Sequence, residues 1–205
     1  MTAEGEPVEV WAAVLDTSRL DGSACNHGEH DRAARFRDPL VGARWLAARH
    51  LLRTRLAARL GCGPREIEFE DGAHGKPGVP GVDFNLAHSG GIAVVAIAGR
   101  VVGVDIEVPR RFVRPAGVAR RLGLDWEALP RDDRADALLR AWTRTEALVK
   151  ATGDGASGGL SHVEERLAPD GWVVVDVDLG PVAVGAVAAR GRDWIVVGPT
   201  WVEAG

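Results

Sequence analysis

Hydrophobic and polar positions change rhythm several times along this chain, and each change marks an element. Residues 8–15, "VEVWAAVL", form a short, mostly apolar run that predicts a strand. From about residue 31 to residue 60 the chain is rich in Ala, Leu and Arg, all good helix formers. Within it Trp45, Leu46, Leu52, Leu56 and Leu60 recur at helical spacing. Pro39 divides the stretch into two helices, and "GCGP" ends it. The Gly/Pro-rich "DGAHGKPGVPG" leaves no room for regular structure. Then "VDFNLAHSGGIAVVAIA" reads as a short approach, a polar break over residues 85–91 and a buried strand over 92–98. Residues 111–131 are polar, irregular or locally helical. Residues 132–151 open with acids suited to a helix N-terminus and run on in helix formers until "TGDGASGG". The remainder alternates β-branched runs with turns, which predicts antiparallel strands.

This order predicts an α+β fold of two similar halves, 1–101 and 102–205, each with antiparallel strands packed on a long helix. Each half runs strand, basic helix, Gly-rich loop, hairpin, and "AVVAIAGR" at 93–100 is echoed by "AVGAVAARGR" at 183–192. The halves are expected to be related by pseudo-two-fold symmetry, with a ligand cleft between them.

The strand that opens the second half, "VGVDIEV", raises a question of its own. Side chains alternate along a strand, so Val102, Val104, Ile106 and Val108 share one face. Gly103, Asp105 and Glu107 share the other. Two acids beside a glycine suit a hard divalent cation such as Mg²⁺, which binds through carboxylates and substrate phosphates; they suit a solvated edge strand equally well. Downstream, "WTRTEALVK" puts Trp142, Glu146 and Lys150 at successive i, i+4 positions of one helical stripe. A third carboxylate brought to the first two would complete a metal site, with an ammonium one turn away.

Composition sharpens two of these points. Of the 25 basic residues only Lys76 and Lys150 are lysine. In a chain that otherwise uses arginine, both positions are candidates for a compact ammonium that can surrender a proton. The net charge of −4 argues against a general nucleic-acid binder. Residues 29–60 are the exception, with eight arginines against Glu29, Asp31 and Asp38, and Arg32, Arg35, Arg37 and Arg44 are candidates for phosphate contact. Two cysteines are too few for a disulfide scaffold or a cysteine-based zinc site. No signal peptide or membrane-length apolar run is present, so a cytoplasmic location is expected. "GAHGKPG" lacks the spacing of a P-loop, and "GDGASG" follows a helix rather than a strand, which excludes a dinucleotide fingerprint.

Taken together, "GKP", "FNLAHS", "VVGVDIE" and "WTRTEALVK" resemble the ordered motifs of the 4′-phosphopantetheinyl transferases over residues 29–160. The length and two-half layout look like the surfactin-synthetase-activating (Sfp) type. The resemblance implies transfer of 4′-phosphopantetheine from coenzyme A to a serine of acyl or peptidyl carrier protein domains, with Mg²⁺, leaving adenosine 3′,5′-bisphosphate. It implies Asp105, Glu107 and Glu146 as metal ligands, and Glu146, directly or through water, as base for the carrier serine. Lys150 would neutralise or protonate the leaving phosphate. Arg32, Arg44, Gly75, Lys76, Pro77 and His88 would contact the 3′-phosphate and adenine of coenzyme A. The family's lysine before the motif glutamate is Thr145 here, its serine before the motif histidine is Ala87, and a threonine after the helix arginine is Trp45. A monomer is expected, with no nucleic-acid or membrane partner. The rival readings are a metal-dependent phosphodiesterase and a non-catalytic coenzyme A or carrier-binding module.

Overall fold

The structure is a computed structural model and describes residues 5–15, 22–72, 76–153 and 171–203. The strands are β1 (Glu6–Val14), β2 (Glu70–Asp71), β3 (Pro77–Gly78), β4 (Asp83–Ser89), β5 (Ile92–Ala98), β6 (Val102–Glu107), β7 (Trp172–Asp178), β8 (Val184–Arg190) and β9 (Trp194–Glu203). The helices are α1 (His27–Ala34), α2 (Pro39–Leu60), α3 (Pro115–Arg121) and α4 (Arg134–Thr152).

Local chemistry sets the helix ends. Asn26 and Glu29 form a reciprocal capping box at the start of α1. Asp38 accepts from the Leu40 N–H and Pro39 occupies the first turn of α2, so the proline that divides the Arg-rich stretch also starts its second helix. Gly61 and Gly153, both at positive φ, end α2 and α4 as left-handed caps.

The strands form two main sheets, β4-β5-β1-β9 and β6-β8-β7, with β2–β3 as a small separate ladder. Three apolar clusters stack the molecule into four layers. Leu51, Leu52 and Leu56 of α2 pack on Phe84, Val95 and Ile97 of the first sheet. The opposite face of that sheet, with Val8, Val10 and Val94, meets Val102, Val104, Ile106 and Val187 of the second. Ala147, Leu148 and Ala151 of α4 cover Ala186 and Ala188 on the far side. The order is therefore α2, sheet, sheet, α4. At ~1.5–3 kcal/mol for each large apolar side chain removed from water, this shared interior is the dominant driving term.

Three expectations from the sequence change. The polar stretch after Phe84 is not a break, because β4 runs unbroken through Asn85 and Ser89. The Gly/Pro loop contains the β2–β3 ladder. Of the strands after residue 171, β7 and β8 pair antiparallel as expected, but β9 leaves them and pairs in parallel with β1. Trp194 and Val196 of β9 add to the cluster between the sheets, and that burial anchors the strand there.

The polar residues of β4 have a structural task. Asp83 accepts from the Val102 N–H at 3.2 Å, Asn85 from Val104 at 2.9 Å and Ser89 from Val108 at 3.2 Å. Side chains of one sheet thus satisfy the free backbone edge of the other. Lys76 closes the end of this seam, its Nζ bonded to Asp83 (3.0 Å) and to the Val102 carbonyl (2.9 Å).

Candidate active site

The two faces of β6 meet two different environments. Val102, Val104 and Ile106 are buried between the sheets. Gly103, Asp105 and Glu107 turn to α4. A Cβ at Gly103 would collide with the Ala147 carbonyl and the Ala151 backbone nitrogen. The missing side chain therefore lets the last turns of α4 lie directly on β6, and this brings the Glu146–Lys150 stripe to the acids.

Lys150 Nζ donates to Asp105 Oδ1 at 2.6 Å. Asp105 is 7% exposed, and its Oδ2 is buried without a hydrogen-bond partner. Burial pushes its pKa up to about 6, opposed by the Lys150 ammonium and reinforced by the charges of Glu146 and Glu107. The Lys150 bond anchors α4 at Asp105, Glu107 follows two residues on along β6, and Glu146 precedes Lys150 by one turn of α4. Glu107 is held from two sides. Ser89 Oγ donates to its Oε2 at 2.8 Å, and Arg110 forks it, Nη2 to Oε1 at 2.9 Å and Nε to Oε2 at 3.2 Å. His88 lies at the surface of β4; desolvation first, then the Lys150 charge, pulls its pKa below the usual histidine value, which keeps it neutral at pH 7.

Among the described residues no three His, Cys, Asp or Glu side chains form a ready cation cage; Asp105 and Glu107 carry cationic side chains instead. The donor set nonetheless fits a hard divalent cation, because Asp105, Glu107 and Glu146 offer carboxylate oxygens alone and Asp105 Oδ2 lacks any partner.

The other candidates separate by position. Arg44 of α2 lies against Gly91 in the β4–β5 turn, two residues from Ser89, and its Nε is buried without a partner. Arg32 stacks over the Trp45 ring at 5.0 Å, with Arg49 on the same ring at 5.9 Å. Trp45, at a position that the resemblance gives to threonine, is thus a platform for guanidinium groups. Lys76 is engaged in the seam at the Val102 end of β6, ~16 Å along an extended strand from Glu107. Pro77 pairs with Asp71 in the β2–β3 ladder, and Gly75 lies outside the described residues. Several arginines of the basic stretch are structural. Arg49 and Arg53 both bond Glu29, at 2.8 and 2.6 Å, and Arg53 is 1% exposed.

Ser89 and Arg110 escaped the sequence reading as site residues. Ser89 is the last residue of "FNLAHS". The signal for Arg110 was its place three residues after Glu107, but β6 ends between them and strand periodicity does not carry across.

Comparison with known proteins agrees with the motifs. A family model described as "ACPS: 4′-phosphopantetheinyl transferase superfamily" matches residues 101–179, which include β6 and α4. The chain is 31% identical over 219 residues to 4′-phosphopantetheinyl transferase HetI of Nostoc sp. (strain PCC 7120), covering 95% of this chain and 92% of that one. It is 28% identical to a 4′-phosphopantetheinyl transferase of Bacillus subtilis (77% and 73% covered). Identity to 4′-phosphopantetheinyl transferase Sfp of Bacillus subtilis (strain 168) is 25%, with 73% and 69% covered. A similarity that spans nearly the whole of both chains, together with a family model that covers the strand and helix of the acidic site, has one reading: the chain belongs to the 4′-phosphopantetheinyl transferase superfamily and is an enzyme of that class.

Proposed function

We propose that the protein transfers 4′-phosphopantetheine from coenzyme A to a serine hydroxyl of acyl or peptidyl carrier protein domains, releasing adenosine 3′,5′-bisphosphate. The observation that carries this reading is the convergence of Asp105 and Glu107 with the α4 stripe, measured by the 2.6 Å contact of Lys150 with Asp105. In the reaction the serine Oγ forms a bond to the phosphorus bearing the pantetheine, and the bond from that phosphorus to the bridging oxygen breaks. Glu146 takes the hydroxyl proton. Lys150 places positive charge, and a proton it can release, beside the departing bisphosphate. Asp105, Glu107 and Glu146 would hold Mg²⁺, which supplies charge neutralisation at the pyrophosphate. Arg32, Arg44 and neutral His88 line the approach for the adenosine 3′-phosphate and adenine, whereas Lys76, bonded to Asp83 and to the Val102 carbonyl, holds the seam between the sheets.

We assign the protein to the Sfp type and to a monomer, with the halves 1–101 and 102–205, apart from β9, which crosses to β1, related by pseudo-two-fold symmetry and the cleft between them. Its place of action is the cytoplasm, without nucleic-acid or membrane partners; no helix among the described residues is long and apolar enough to cross a membrane. Intact-mass measurement of an apo carrier domain incubated with the protein, coenzyme A and Mg²⁺ tests the reading. The expected result is the gain of one phosphopantetheine, abolished by a chelator and strongly slowed in Glu146→Gln. No gain on either carrier class, or a Glu146→Gln variant with normal turnover, refutes it.

A further inference from the structure

Arg110 faces two ways. On one side it forks Glu107; on the other it lines a cavity of about 470 Å³ outside the acidic site. Phe112, Trp126 and Leu138 form its apolar wall. Arginines 110, 111, 131 and 134 surround that wall with positive charge. Two of the four are engaged. Arg110 lies 4.4 Å over the Phe112 ring, and Arg134 lies 5.2 Å over Trp126, bonds the Leu129 carbonyl at 3.1 Å and pairs with Glu127 at 3.3 Å. Arg111 and Arg131 are exposed and have no carboxylate partner among the described residues. In a chain of net charge −4, an aromatic-walled cavity ringed by guanidinium groups suits one ligand chemistry, an apolar body carrying an anionic group.

The geometry points to this cavity as a binding site for a small amphipathic anion whose occupancy is coupled, through Arg110, to the cation affinity of the carboxylates. The guanidinium forked on Glu107 competes with any other cation for both carboxylate oxygens. An anion in the cavity competes with Glu107 for the same guanidinium. When the anion draws Arg110 off Glu107 and into the cavity, Glu107 keeps its Ser89 hydrogen bond and its second oxygen becomes available. By linkage each ligand then tightens the other. The coupling rests on the reading of Glu107 as a metal ligand; the cavity's preference for anions does not.

Two titrations on the full chain test this. First, 2-naphthalenesulfonate is added while tryptophan fluorescence is followed, with uncharged 2-naphthol as control. One saturable sulfonate site is expected, weakened roughly tenfold in the double variant Arg111→Gln, Arg131→Gln because two charges are lost from the ring. Equal binding of naphthol, or indifference to the double variant, overturns the site. Second, Mn²⁺ binding is measured by calorimetry with and without saturating sulfonate. Sulfonate is expected to tighten Mn²⁺ by roughly fivefold or more, the lower end of ordinary coupling. Arg110→Gln is expected to bind Mn²⁺ more tightly than wild type and to ignore sulfonate. Weaker Mn²⁺ binding in Arg110→Gln would make Arg110 a support rather than a competitor and overturn the coupling, as would Mn²⁺ binding insensitive to sulfonate. A wild-type protein that binds no Mn²⁺ would overturn the coupling together with the metal reading, whereas bound but uncoupled Mn²⁺ would leave the metal reading intact.

Discussion

At Asp105 burial and charge act against each other, and the conflict has a sign. Its pKa stands at about 6 against an ordinary 3.8, because burial outweighs the Lys150 ammonium. Below the unfolded value both states are protonated and the residue favours folding fully. As pH rises through the folded value, the folded protein must hold a carboxylate that the unfolded chain solvates better, so stability is lost between about pH 4 and 6. A shift of this size corresponds to on the order of 2–3 kcal/mol. In chelator, the melting temperature of Asp105→Asn should therefore gain on wild type as pH climbs through that window. A melting temperature of Asp105→Asn that falls relative to wild type over that window would show that Lys150 governs the residue. Ala87 gives a quieter case. The seam bonds join residues 83 to 102, 85 to 104 and 89 to 108, and on that spacing Ala87 stands opposite the Ile106 N–H with no side-chain acceptor. Ala87→Ser should supply one and raise the denaturant midpoint by the equivalent of about 0.5–1.5 kcal/mol.

Elements, rather than single residues, set the distance between the acids and the lysine. Gly103→Ala would drive a methyl into the Ala147–Ala151 turn of α4. Overpacking of this kind costs ~1–3 kcal/mol, and it should lift Glu146 and Lys150 from Asp105. We expect activity to fall further than the loss of stability explains, read as turnover measured well below the melting temperature. Asn85→Ala should cost ~1–3 kcal/mol by orphaning the Val104 N–H. At this scale much was legible beforehand. The alternation Val102, Val104, Ile106 against Gly103, Asp105, Glu107 announced a two-faced strand, and the i, i+4 stripe of α4 named its visitors. The extension of β4 through "NLAHS" was hidden, because polar strand residues that bond a neighbouring backbone edge look the same in sequence as a loop.

Across the whole molecule, both sheets share one interior, and β9 carries the chain's last described strand back beside β1. Unfolding should be a single transition, with tryptophan fluorescence and far-ultraviolet circular dichroism superimposing. The far corner depends on charge. Glu29 satisfies Arg53, which also bonds the Pro64 and Ile67 carbonyls, so Glu29→Ala would strand a buried guanidinium and cost ~3–5 kcal/mol in the denaturant midpoint. The parallel β1–β9 pair was beyond sequence reading, since a period-two pattern tells which face is buried and nothing of the partner. The same holds for Lys76, whose rarity marked it as special without revealing that its ammonium closes the seam. That seam has a consequence for how the protein can vary. An ordinary ladder is written in backbone atoms and accepts almost any side chain, whereas this joint between sheets is spelled by Asp83, Asn85 and Ser89 themselves. A library of all single substitutions should show intolerance beating at every second position of β4, with a permissive gap for small residues at 87.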